Sequence, residues 1–248
     1  MIRTYLSYIL IYLSLLLGGG SLLVFVLFLF EGSLNIVNFG FSYRAALWCD
    51  AALSFVFFMQ HSVMIRRSSR RFLSQFFREE YFGVLYSITS GVVLFMMVIF
   101  WQASTHSLFV AEGALRWFLR SIFMLSIAGF VWGVRALEDF DALGGKIILR
   151  KLRNRQLPPG KFIIAGPYRY VRHPLYFFVL CMIWSCPDIT ADRLLFSVSW
   201  TTWIVFGTIL EERDLVAEFG DVYRRYQKEV PMLFPIGVPF KKGDTWRE

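Results

Sequence analysis

The chain has 248 residues, of which 56% are hydrophobic and 27 are Phe, with a mean hydropathy of +0.53 and a formal net charge of +8. That apolar load argues against a water-soluble globular domain and for a polytopic membrane protein. The basic excess lies in short loops between apolar segments, where it suits anionic lipid headgroups, so no nucleic-acid partner is expected.

Tyr5 to Phe30 is the first apolar segment, 26 residues without a charge. Roughly 20 helical residues cross a hydrocarbon core. The segment is too long for a signal-peptide core and has no clear cleavage site. Ala45 to Ile65 makes a second span with Asp50 and His61 inside it, and Phe82 to Trp101 makes a third with no charge. A fourth, about Leu115 to Leu137, opens with Arg116 and Arg120, whose long stems reach back to the interface.

The next run, Leu175 to Pro187, has only 13 residues and stops at Cys186-Pro187-Asp188, before another run from Leu194 to Leu210. Together they predict a helical hairpin that enters and returns on one side, with a turn that need not reach the far face. Beyond it, Leu215, Phe219, Val222, Tyr223, Tyr226 and Val230 recur at spacings of three and four. This apolar stripe, opposite Asp221, Arg224, Arg225 and Lys228, predicts an amphipathic helix at the interface.

The expected fold class is therefore all-α: a polytopic helical membrane protein with four transmembrane helices, a carboxy-terminal hairpin and an interfacial amphipathic helix. It is expected as one integral domain over 1–248, with a four-helix part at 1–137 and a cofactor-binding part at 138–248. Asn154 to Gly160, containing Pro158-Pro159-Gly160, reads as a loop within the second part.

Lys and Arg set the orientation. Arg66, Arg67, Arg70, Arg71 and Arg78 follow the second span, and Lys146 to Arg172 holds a further basic cluster, whereas Glu31 to Tyr43 and Gln102 to Leu115 hold neither residue. Both termini and both basic loops are thus expected in the cytoplasm. Cys49, Cys181 and Cys186 show no paired ligand spacing, so they read as packing residues and no metal is expected.

The chemistry concentrates in Gly166-Pro-Tyr-Arg-Tyr-Val-Arg-His-Pro-Leu-Tyr176 and Glu211-Glu212-Arg-Asp-Leu215. His173 precedes Pro174, which suits the first turn of a helix and puts His173 among free N–H groups that favour an anionic ligand. Glu211 and Glu212 lie where the hairpin returns to the same interface. A cofactor with a carboxylate, an ammonium and an adenosine would find complementary groups there. Taken singly, Arg169, Arg172 and Arg213 read as interface anchors, Tyr168, Tyr170 and Tyr176 as an aromatic belt, and the glutamates as a solvated helix end; the ordered combination is what favours a site.

Those motifs, with Phe219-Gly220, Tyr223, Tyr226 and Val230-Pro231 after them, resemble the integral-membrane methyltransferases of the isoprenylcysteine carboxyl methyltransferase and phospholipid methyltransferase superfamily over about Gly166 to Pro235. The resemblance implies S-adenosylmethionine as cofactor, held by Tyr168, His173, Pro174, Tyr176, Glu211 and Glu212. It makes Arg172, Arg213 and Tyr226 weaker candidates, for positioning the acceptor. Glu229 stands before Val230-Pro231, where carboxyl-methylating members carry a basic residue, and it would repel a carboxylate substrate.

Gln60-His61-Ser62-Val63-Met64, Asp139-Phe140-Asp141-Ala142-Leu143-Gly144 and Trp184-Ser185-Cys186-Pro187 are similar to the methanethiol S-methyltransferase branch, although that branch usually carries His where Asp139 stands. The resemblance implies direct methyl transfer to a small or lipid-soluble acceptor, best a thiol, without metal or covalent enzyme intermediate. A thiolate is the reactive form, so Arg172, Arg213 or His61 would favour deprotonation. His61 also reads as an interfacial hydrogen-bonding residue. Prenylcysteine carboxyl and lipid amine methylation, a nicotinamide-dependent membrane reductase and a non-enzymatic membrane protein are the alternatives; no Gly-x-Gly-x-x-Gly fingerprint is present, which excludes only a Rossmann-type site. Membrane lipids are expected partners, and the sequence leaves the oligomeric state open.

Overall fold

Charge-free runs longer than the hydrocarbon core become helices because only internal hydrogen bonding satisfies a backbone removed from water. The computed structural model describes residues 2–137, 141–155, 162 and 164–236. Five of its helices are long and apolar enough to cross a membrane: Thr4–Glu31, Tyr43–Ile65, Glu79–Phe100, Gly113–Ala136 and Ala191–Phe219. The first four match the expected spans within a few residues. The fifth extends the expected second arm of the hairpin at both ends. Asp139, Phe140 and most of the expected loop from Asn154 to Gly160 lie outside the described residues.

The chain divides into two compact units, one holding 1–109, 141–159 and 188–199, the other 110–140, 160–187 and 200–248. In the first unit, helix α1 runs through Ile2–Leu13, Ser14–Gly19 and Gly20–Glu31, and its middle stretch is π-helical. Helix α2 is Tyr43–Ile65, α3 is Arg67–Leu73 and α4 is Phe82–Phe100. The π stretch falls where α1 presses on α4: a Cβ placed on Gly91 would lie 2.3 Å from the Leu17 carbonyl oxygen. Backbone approach of that kind needs glycine, and the widened turn fits the local departure from α geometry. Strand β1, Ser107–Val110, pairs with β2, Asp188–Thr190. The turn of the hairpin therefore meets the connection that follows α4, instead of stopping short of that side as the short first arm had suggested.

The core of this unit is an edge-to-face cluster of Phe28, Trp101 and Phe196, with ring centres 5.2–5.6 Å apart. Arg193 lies over the Phe28 and Phe196 rings and donates to the Phe28 and Leu29 carbonyls, satisfying the end of α1.

In the second unit, helix α5 (Gly113–Ala136) packs on the short helix α6 (Pro174–Trp184). Gly129 and Gly133 of α5 make room for Phe178 and Leu175, and a Cβ on Gly129 would meet the Phe178 ring at 2.2 Å. Helix α6 runs antiparallel to the later part of helix α7 (Ala191–Phe219): His173 bonds Glu212, Tyr176 bonds Glu211 and Trp184 bonds Thr201. Helix α7 continues for ten residues back from Thr201 to Ala191, about 15 Å at the helical rise. Ser185, Cys186 and Pro187 cover part of that length without helix, and all three are buried, as non-helical backbone at membrane depth must be. Gly220, at φ +58°, turns the chain into helix α8, Asp221–Glu229. Tyr223, Tyr226 and Val230 of the expected stripe are buried there, with Leu215, Phe219 and Phe162 packed against them.

Candidate functional site

Glu212, on α7 and 7% exposed, is the centre of the carboxy-terminal unit. Its Oε1 accepts from Arg172 Nε at 2.8 Å, His173 Nε2 at 2.6 Å and Tyr223 OH at 2.7 Å. Its Oε2 accepts from Arg172 Nη2 at 2.8 Å and from Gln227 Nε2. Five donor atoms fill the acceptor capacity of a carboxylate, and the Arg172 fork is the bidentate geometry that carries most energy.

Local sequence explains the convergence. Gly166, at φ +54° against Trp132 and Ala136, opens a 3₁₀ turn over Gly166–Arg169 that delivers Arg172 and His173 to the start of α6. Pro174 occupies the first turn of α6, where its missing N–H costs nothing. The backbone N–H groups of Arg172 and His173 donate to the Pro231 and Met232 carbonyls at 2.9 and 3.1 Å, and Arg172 Nη1 donates to the Gln227 and Val230 carbonyls. Tyr226 donates to the Tyr168 carbonyl. The Val230-Pro231 segment is thus bound by main chain to the His-Pro segment.

Glu211, the neighbouring residue, has a different environment. Its side chain is 44% exposed, and Oε2 accepts from Tyr176 OH at 2.7 Å while standing 3.9 Å from His173 Nδ1. Since a carboxylate only accepts, His173 carries its bonding proton on Nε2 toward Glu212, which leaves Nδ1 facing Glu211. The His173 and Tyr176 rings stack with centres 5.7 Å apart. Burial, then the Glu211 charge, pushes the Tyr168 phenol above its ordinary range, which puts Tyr168 within electrostatic reach of Glu211. Burial does the same to Tyr223 and Tyr226, and the hydrogen bond to Glu212 adds to it at Tyr223.

Seven of the nine expected site residues therefore meet in one cluster: Tyr168, Arg172, His173, Pro174, Tyr176, Glu211 and Glu212. Arg172 and Glu212 spend their polar groups on each other and on the protein. Arg213 is exposed, makes no ion pair among the described residues, and lines an open cavity of about 440 Å³ with Ile209, Val216 and Met232 beside Glu212. His61 belongs to the amino-terminal unit, where it pairs with Tyr86 OH and lies against Phe57. The neighbouring Gln60 donates to Thr89 and Ser90 across α2 and α4. Tyr223 and Gln227 were missed as partners of Glu212. Tyr223 counted in the sequence as part of the apolar stripe and of the family resemblance, with no role beside Glu212, and its place on the buried face of the helix after the paired glutamates was the available signal. Glu229 is exposed at the end of α8.

The family model described as phospholipid methyltransferase matches residues 115–222, which take in the His-Pro segment and both glutamates and end just before Tyr223 and Gln227. The methanethiol S-methyltransferase of Pseudomonas deceptionensis is 34% identical over 79% of this chain and 75% of its own length. This chain belongs to that family of membrane methyltransferases. The methanethiol S-methyltransferase 2 of Bradyrhizobium diazoefficiens is 30% identical over 77% of this chain and 73% of its own length, and nurim of Rattus norvegicus is 24% identical over 75% and 74%. No solved structure matches. An integral membrane methyltransferase is thus the shared reading of the helices and of the relatives.

Proposed function

We propose that this methyltransferase uses S-adenosylmethionine to methylate a small lipid-soluble thiol, with methanethiol as the first substrate to try. The observation that carries the reading is the contrast within the glutamate pair: Glu212 is saturated by protein donors while Glu211 keeps Oε1 unpartnered and exposed next to the first turn of α6. Those groups fit the cofactor. Glu211 and His173 Nδ1 accept from its ammonium or hydroxyl donors, and the positive end of the α6 dipole suits its carboxylate. When bound, the cofactor supplies a methyl group on a positively charged sulfur, which an incoming thiol sulfur takes as its proton departs.

The roles of the chain follow. Tyr176 fixes the Glu211 carboxylate, and Glu212 with Arg172 fixes His173. Of the two candidate arginines, Arg213 is the one not paired with Glu212, and it would favour a thiolate over a thiol. His61 is the second candidate for that role. The relatives' printed names support the thiol, and Glu229 disfavours a carboxylate acceptor. The basic residues after α2 and before α6 support cytoplasmic amino and carboxy termini.

Isothermal titration of S-adenosylmethionine into detergent-purified protein tests the reading, with Glu211→Ala beside it. Saturable binding that the variant loses, with dimethyl sulfide formed from methanethiol in the headspace, is expected. Binding without thioether would move the acceptor to another class, and no binding to folded protein would overturn the cofactor.

A further inference from the structure

Between α2 and α4 the chain leaves the spanning helices for a short basic and aromatic segment whose chemistry the methyl-transfer site does not use. Helix α3 carries Arg70 and Arg71, and Phe72, Phe76 and Phe77, at its end and just beyond, are 59%, 68% and 49% exposed. Exposed phenylalanines beside arginines at the end of a spanning helix are the composition of a segment that lies in the headgroup layer.

This segment forms one wall of a cavity of about 640 Å³ whose opposite wall is the helix Gly145–Leu152. The floor is rigid: a Cβ on Gly144 would lie 2.1 Å from the Gly83 carbonyl carbon, so the two backbones are in direct contact. Seven charged residues line the cavity, namely Arg70, Arg71, Arg78 and Lys151 against Glu79, Glu80 and Asp141. Two of the carboxylates are already committed. Glu80 pairs with Lys151 at 2.8 Å and Arg78 at 3.2 Å, and Asp141 accepts from the Lys146 and Ile147 N–H groups at the start of the Gly145–Leu152 helix. Arg70 stacks its guanidinium 4.7 Å from the Phe82 ring centre, and neither it nor Arg71 has a carboxylate in ion-pair distance among the described residues.

We propose that this cavity holds the headgroup of an anionic glycerophospholipid, with its phosphodiester on Arg70 and Arg71 and its acyl chains along Phe72 and Phe76. Four cations against three carboxylates leave one positive charge, which the single negative charge of such a lipid matches. Two arginine forks suit the phosphate oxygens, and the apolar flank suits the chains, which a water-soluble phosphate would leave bare. Glu79, exposed and without a partner among the described residues, disfavours a second negative charge and so selects against dianionic headgroups.

The test is native mass spectrometry of the full chain released from mixed micelles of phosphatidylglycerol and phosphatidylcholine. Preferential retention of phosphatidylglycerol is expected, weakened roughly fivefold by Arg71→Gln and more by the Arg70→Gln, Arg71→Gln pair. Arg44→Gln, which removes an exposed arginine elsewhere, leaves retention unchanged. Equal retention of the two lipids by the unaltered chain, or retention untouched in Arg71→Gln, overturns the site. Displacement of the lipid by millimolar glycerol phosphate would assign a soluble phosphate instead and overturn it as well.

Discussion

Two buried carboxylates on spanning helices show two different uses of the same group. Glu212 collects five donor atoms from four side chains, the farthest of them 40 positions away in sequence. Asp50, fully buried on α2, accepts one backbone N–H, from Gln102, on Oδ1, and its Oδ2 has no partner. The arrangement around Glu212 brings a cation to the carboxylate and ties three segments together, so removing either charge strands the other. Around Asp50 a loop is tied by one main-chain bond, and nearby Asp192 repeats the pattern with the Trp101 indole, the Ser104 N–H and the Thr190 hydroxyl. The first kind of site holds together the segments proposed to bind the cofactor, and the second closes an end of a helical unit.

The largest effect should come from Glu212→Ala. Arg172, with a 9% exposed side chain, would lose its only carboxylate among the described residues, and leaving such a charge unpaired costs about 3–5 kcal/mol. Thermal unfolding in detergent should show the loss directly, together with loss of S-adenosylmethionine binding. An unshifted transition would erase the distinction between the two carboxylates. Glu211→Ala should do the reverse: the transition stays in place, while affinity for the cofactor falls by the roughly 1.5–3 kcal/mol of a hydrogen bond to a charged group.

Tyr223→Phe sharpens the account of Glu212 by taking away one donor of five and keeping the ring against Phe162 and Tyr226. The expected cost is about 1–2 kcal/mol. Its pH dependence has a definite sign. Burial and Glu212 raise the Tyr223 phenol, so the folded protein prefers the protonated form. The stabilisation is therefore fully present below the ordinary phenol pKa of about 10 and is lost only as pH rises toward the raised folded value. In ultraviolet titration, Tyr168, Tyr223 and Tyr226 should still be protonated when exposed tyrosines have ionised near pH 10. Ionisation of all tyrosines together would contradict the burial of these three.

Much of this was legible in the sequence, for reasons that also explain the gaps. The spans from Tyr5 and Phe82 were visible because uncharged runs of that length have one stable state in lipid. The second hairpin arm was cut at Leu210 because Glu211-Glu212-Arg213-Asp214 looks like the end of an apolar run. The helix continues to Phe219 because donors from Arg172, His173 and Tyr223 compensate Glu212, and no local window contains them. The π stretch at Ser14–Gly19 was hidden for a similar reason, since it answers to Gly91 on another helix. Arg193, just before the expected second arm, is a buried cap on the α1 carbonyls, and nothing in its own stretch of sequence points to them. The motif order found the carboxy-terminal cluster. What it could not separate was the glutamate that holds the protein together from the one proposed to meet a ligand.

Asp50→Asn should have the smallest effect, and it is informative because it is small. Asparagine keeps the oxygen that accepts from Gln102 N–H and replaces the unpartnered Oδ2 with an amide nitrogen of the same size. The substitution replaces a buried carboxyl that has no cation to answer it among the described residues, so no ion pair is lost with it. The unfolding transition should move by less than about 1 kcal/mol, and upward if it moves at all. A drop as large as that of Glu212→Ala would mean that Asp50 carries a charge-dependent interaction, and the contrast between clasp and organising centre would fail at its weaker member.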